Sequence, residues 1–107
     1  MNARALRKQA TPGRLKTTAA LLRFCRENGH SPFWVQQLGE CVAALEANNM
    51  PRVEELVGVL AQARMGSFLD WGPTHPDKAE AAYLDTLWNA LLGYWLEQMS
   101  VFRGQHA

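Results

Sequence analysis

The sequence predicts an all-α fold, a small bundle of four helices, five if the first residues form one of their own, ending in a long C-terminal helix. Two observations carry that prediction. Glycine and proline fall mainly between periodic segments, and the apolar residues recur at the 3.6-residue helical period with no competing two-residue alternation. With 107 residues, 48% of them apolar and 20% charged, the chain is long enough to bury a core as one domain spanning residues 1–107.

The first helix is expected from about Gly13 to Asn28. Leu15, Ala19, Leu22 and Arg26 fall on one row, Leu21 and Cys25 lie beside it, and Gly29 stands where a left-handed residue closes a helix. Thr11-Pro12-Gly13 reads as a break, with residues 1 to about 12 as a basic arm; residues 2–10 either extend the helix or form a short one. Ser31-Pro32 then supplies an N-cap hydroxyl and a proline suited to the first helical position. The helix it opens runs to about Ala47 on Trp34, Leu38, Cys41, Val42 and Leu45, with Gly39 weakening it slightly or admitting a close neighbour.

Asn48-Asn49-Met50-Pro51 makes a tight connection to a third helix, whose Val53, Leu56, Val57 and Leu60 repeat the period until Gly66. Short connections make antiparallel neighbours, so helices two and three should form a hairpin. Ser67 to Pro73 is too short and too rich in glycine and proline for another long helix, and its Phe68 and Trp71 are suited to pin the segment onto the core. Thr74-His75-Pro76-Asp77 offers a capping-box variant with Thr74 as the cap, opening a long fourth helix over roughly 75–100.

On that last helix Tyr83, Leu84, Leu87, Trp88, Leu91, Leu92, Tyr94, Trp95, Leu96 and Met99 cover an arc of roughly 220°, where a surface helix needs a stripe of about 100° or somewhat more. Either this is the central helix of the bundle, or one part of the arc packs inward and another meets a second chain. Three modest neighbours cover too little of it, which favours the second reading. Trp88, Leu91, Trp95 and Met99 are accordingly the candidates for a dimer or partner surface, followed by Phe33 and Trp34 at the start of helix two; aromatic anchors are enriched in such surfaces.

No constellation for catalysis or cofactor binding is legible. His30, His75 and His106 are isolated, and Cys25, His30 and Cys41 lack a fourth ligand or a zinc-site spacing. The two cysteines make no disulfide framework and read as reduced core residues. There is no phosphate-cradling glycine loop, nucleophile elbow or dinucleotide fingerprint, so no enzyme activity and no cofactor are expected. The opening residues lack the apolar core of a secretory signal and no stretch is long enough to span a bilayer; a cytoplasmic protein is expected.

Charge is segregated although the net value is only +1. Residues 1–26 carry Arg4, Arg7, Lys8, Arg14, Lys16, Arg23 and Arg26 with no acid, whereas the rest has four basic against ten acidic residues. A basic end suits nucleic acid, an anionic surface or an acidic protein. Helices two and three could mimic a helix-turn-helix, but Glu54 and Glu55 open the would-be recognition helix, where they repel phosphate, so direct nucleic-acid binding is not expected of it. Nonspecific contact through the basic region, as in a small nucleic-acid-associated protein, is the alternative, beside a helical immunity- or antitoxin-type protein.

The chain as a whole, including SPFWVQQLGECVAALEANNMPRVEELVGVLAQAR and FLDWGPTHPDKAEAAYLDTLWNALLGYWLEQM, resembles the quorum-sensing anti-activators of the QslA type, antagonists of the LuxR-type receptor LasR. The resemblance implies an all-helical homodimer that binds the ligand-binding domain of a LuxR-type transcription factor and blocks its dimerisation, so that DNA binding is lost. Such an inhibitor needs an apolar surface with aromatic anchors and no active site.

Overall fold

The computed structural model describes the backbone of residues 3–103 and the side chains of residues 12–102. It is all-helical: α1 spans Ala3–Glu27, α2 Pro32–Glu46, α3 Met50–Leu60, α4 Lys78–Gln98 and α5 Ser100–Arg103, with no strand among the described residues. The helices pack in the order α4, α1, α2, α3, and α5 closes the ring by touching both α3 and α4. The core is filled from the four longer helices and the segments that follow α3 and α4, by Leu21 and Cys25, Leu38 and Cys41, Val53, Val57 and Leu60, Phe68, Trp95 and Met99, all fully buried.

Local chemistry fixes the ends of the elements. Gly29 takes a φ of +82° just beyond α1, and the His30 N–H returns to the Cys25 carbonyl at 3.0 Å, which closes the helix with a left-handed residue. Asn48 does the same beyond α2 at a φ of +57°, with the Asn49 N–H on the Ala44 carbonyl at 2.8 Å. Asn49 then serves the next helix as well, its side chain accepting from the Arg52 N–H at 3.3 Å.

Three boundaries and one cap differ from the expectation. α1 runs unbroken through Pro12, so residues 3–12 of the expected basic arm are its first turns; the side chains of Arg4, Arg7 and Lys8, and all of His106, lie outside the described residues. Proline costs a helix one hydrogen bond and crowds the preceding turn, which bends or weakens it without having to end it. Ser31 occupies the N-cap position of α2 but its hydroxyl makes no cap bond; its N–H is given to His30 Nδ1 at 2.7 Å. α3 stops at Leu60, six residues before Gly66, because the apolar row ends there and the chain must turn to bring Phe68 into the core. α4 starts at Lys78 with Asp77 as the cap, accepting from the Glu80 N–H at 3.0 Å, and Thr74 has no part in it. Pro76 disfavours helical backbone at His75 before it.

No helix of the described residues is long and apolar enough to cross a membrane.

Candidate interaction surface

α4 is a flank of the bundle and not its centre. It packs on α1 and α5 alone among the helices, so the wide apolar arc divides into an inward and an outward part. Three of the residues expected at an interface belong to the inward part: Trp95 and Met99 are fully buried and Trp88 is 3% exposed. This corrects their assignment, since a side chain closed within its own subunit offers nothing to a second one. The physical reason is that these three lie within about 40° of one another at 100° per residue and face α1 and Phe68.

Trp95 is held on both counts, apolar and polar. Its ring meets Phe68 edge-on at 6.1 Å, and its Nε1–H donates to the Thr18 hydroxyl at 3.0 Å, while Thr18 donates to the Arg14 carbonyl at 2.7 Å. Arg14 is itself turned inward, 9% exposed, with its Nε–H on the Gln98 carbonyl at 3.0 Å and its guanidinium over the Phe102 ring. A cation counted toward the basic end is thereby used inside the chain.

A histidine that looked isolated in the sequence is the hub of an aromatic cluster. His30 lies between the near-parallel rings of Phe68 and Trp71, at 5.0 and 4.4 Å, with Trp88 edge-on to Trp71 at 4.9 Å. Its Nδ1 accepts the Ser31 N–H, which leaves Nε2 to carry the proton and donate to the Phe68 carbonyl at 2.9 Å. Burial lowers its pKa, opposed by the Phe68 bond, so the ring is a neutral strut that fastens the 61–77 segment to the helices. Cys25 and Cys41 are free and buried, and burial pushes both thiols up to about 12. Among the described residues no three His, Cys, Asp or Glu side chains converge as a metal ion would require.

Two apolar surfaces remain open. The first is a groove of about 410 Å³ between α1 and α4, lined by Phe24, Leu87, Ala90, Leu91 and Tyr94. Tyr83 extends it along α4, and Tyr83 and Tyr94 are 57% and 55% exposed. Leu91, an expected interface residue, is half-buried on its floor. The second is a knuckle where α2 meets the 61–77 segment. Phe33 is 56% exposed and meets Trp34 edge-on at 4.9 Å, and the Trp34 Nε1–H donates to the Gly66 carbonyl at 3.3 Å, next to Met65, which is 94% exposed. Phe33 is thus exposed and Trp34 half-buried beside it, with Met65 as a neighbour that no signal in the sequence singles out.

None of the protein-family models, curated proteins or solved structures matches this chain.

Proposed function

We propose that this chain is a non-enzymatic protein-binding antagonist that engages the ligand-binding domain of a LuxR-type transcription factor and keeps the factor from dimerising on DNA. The observation that carries the binding role is the knuckle, where two large apolar side chains, Phe33 and Met65, stand in solvent beside a half-buried tryptophan. Such side chains act as anchors when a partner supplies the matching pocket, and a few of them dominate an interface. Blocking a dimer surface calls for occupation alone, and no reacting group has to be aligned. The identity of the partner rests on the sequence resemblance; the surface itself suits any helical binding protein, including an immunity- or antitoxin-type one.

The nucleic-acid alternative draws less support. Arg14 is internal, Arg23 is paired with Glu27 at 2.7 Å, and Arg52 on α3 is engaged by Glu55 at 2.9 Å and Glu40 at 3.4 Å. Lys16 and Arg26 of the basic region stay exposed.

Affinity capture of purified LuxR-type ligand-binding domains, with Phe33→Ala and Met65→Ala beside the parent protein, tests the proposal. The expected result is a complex weakened about 30-fold by Phe33→Ala, the size of an interface hot spot. No complex with any such domain, together with salt-dependent DNA binding, would refute it.

A further inference from the structure

We propose that His30 is a proton-operated latch: while its ring is neutral it clasps the segment between α3 and α4 to the helices, and a second proton on the ring opens that segment around Phe68 without unfolding the bundle. The inference concerns how the knuckle is kept assembled and holds whichever partner docks there.

The first ground is hydrogen bonding. The two ring nitrogens of His30 have opposite duties: Nε2–H donates to the Phe68 carbonyl at 2.9 Å, and Nδ1 accepts the Ser31 N–H at 2.7 Å. An imidazolium carries a hydrogen on both nitrogens and has no acceptor left. Its Nδ1–H would meet the Ser31 N–H head-on, two donors at a distance that only a donor and an acceptor can share. Ser31 is also the N-cap of α2, where the unpaired amides of the first turn carry a partial positive charge that repels a cation. The faces of Phe68 and Trp71 attract a cation, but a charged ring can use them only in a pose turned away from Ser31.

The second ground is the neighbouring charge. α1 brings Cys25, whose carbonyl takes the His30 N–H and whose thiol, raised to about 12, stays neutral. Glu27 of the same helix is exposed and paired with Arg23 at 2.7 Å. α4 brings the edge of Trp88 at 6.1 Å, with Asp85 exposed one turn earlier, and the first turn of α2 has no acid. In the segment itself Asp70 and His75 are exposed, the one accepting the Gly66 N–H at 2.9 Å and the other the Asp77 N–H at 3.1 Å. Burial opposes a charge on His30 and the Phe68 bond supports it; among the described residues no charged side chain offsets the burial.

The third ground is how lightly the segment is fastened. Among the described residues, two hydrogen bonds join positions 63–76 to the helices: His30 to Phe68, and the Trp34 Nε1–H to the Gly66 carbonyl at a long 3.3 Å. The other bonds are internal, from the Arg64 N–H to the Ser67 hydroxyl and from the Gly66 N–H to Asp70, so the turn keeps its shape as it moves. Phe68 is fully buried against Trp88 and Trp95 and serves as the pivot. Trp71 is half-buried, and the rings it meets are those of His30 and Trp88. Once the His30 ring leaves the stack, Trp71 keeps one of these, and the long Trp34 bond is the last hydrogen bond tying Gly66 and Met65 to α2. Segments with so few ties open first.

NMR of the full chain across a pH series tests this. A ring freed to the ordinary value near 6.5 takes up a proton tenfold more readily for each pH unit below it, so the open form should be about tenfold more frequent at about pH 5.5 than at about pH 7.5. The Ser31 amide and the Trp34 indole N–H report the two ties. Their protection from exchange, corrected for its intrinsic pH dependence, should fall by that factor, with amides inside α2 and α3 unaffected. His30→Gln, whose carboxamide can serve both bonds without taking a proton, should keep the segment closed at both pH values, and His75→Gln should behave as the parent. In the parent, the Trp71 indole signal should shift in step with the titration of the His30 ring. Protection that ignores pH, or that falls equally in His30→Gln, overturns the proposal. So does a His30 ring that titrates while the Trp71 signal stays unmoved, a measurement that needs no variant, or a loss of protection that spreads through the whole bundle over the same range.

Discussion

Thr18→Val isolates one buried interaction between α1 and α4. Both partners are fully buried, and the Thr18 hydroxyl accepts from the Trp95 indole at 3.0 Å. Valine has nearly the same shape, so the change strands the indole N–H without opening a cavity. A buried donor left unpaired costs about 1–3 kcal/mol. The Arg14 carbonyl that Thr18 also satisfies is in mid-helix and keeps its amide partner, so it adds little. The methyl group that replaces the hydroxyl recovers about 0.8 kcal/mol. The net loss is then about 0.2–2.2 kcal/mol, at its upper end a large share of the roughly 5–15 kcal/mol that holds a domain together.

Urea unfolding followed by tryptophan fluorescence reads this loss. With a slope of about 1–3 kcal/mol per molar, the midpoint should fall by up to about 1 M. The Trp95→Phe background supplies the control, because it lacks the N–H that Thr18→Val strands. There Thr18→Val should cost little, giving a coupling of up to about 2 kcal/mol in the double-mutant cycle. An equal cost in both backgrounds would show that the hydroxyl and the indole do not act on one another and that α4 is held to α1 by apolar contact alone.

His30 makes stability depend on pH. Its pKa is lower in the folded protein than the ordinary 6.5, so its contribution is fully present above that value and is lost as pH falls through 6.5 toward the folded pKa. Urea midpoints should therefore decline between about pH 7.5 and pH 5, less steeply in His30→Gln; a decline of equal slope in both proteins would assign it to carboxylates elsewhere. Cys25 and Cys41, with thiols raised to about 12 by burial, should react with a thiol-specific dye only at the rate of unfolding. Complete reaction on mixing would place one of them at the surface.

The helices were legible because their signals are local. Ser31-Pro32, Asn48-Asn49 and Gly29 punctuate the chain where helices start and stop; the apolar row of α3 matches its buried residues, and that of α2 does so at Leu38, Cys41 and Leu45, with Trp34 and Val42 half-buried. What lay hidden is set by how the helices stack. The apolar arc of α4 is visible in one dimension, but its division into Trp88, Trp95 and Met99 inside and Tyr83, Leu87 and Tyr94 outside depends on α1 covering one flank alone. Periodicity cannot say which half of a wide arc has a neighbour. His30 escaped notice for a related reason, since Phe68 and Trp71, which enclose it, are 38 and 41 positions away along the chain. The premature end of α3 also answers to a distant demand, the insertion of Phe68.

The corner at residues 47–50 has no spare link. Asn49 gives its amide to the outgoing helix and its carboxamide oxygen to the incoming one, so the same residue is the last fastening of α2 and the first of α3. Adding or deleting a single position there would disturb both ties at once. The length of this short corner is therefore tied to the pairing of α2 with α3.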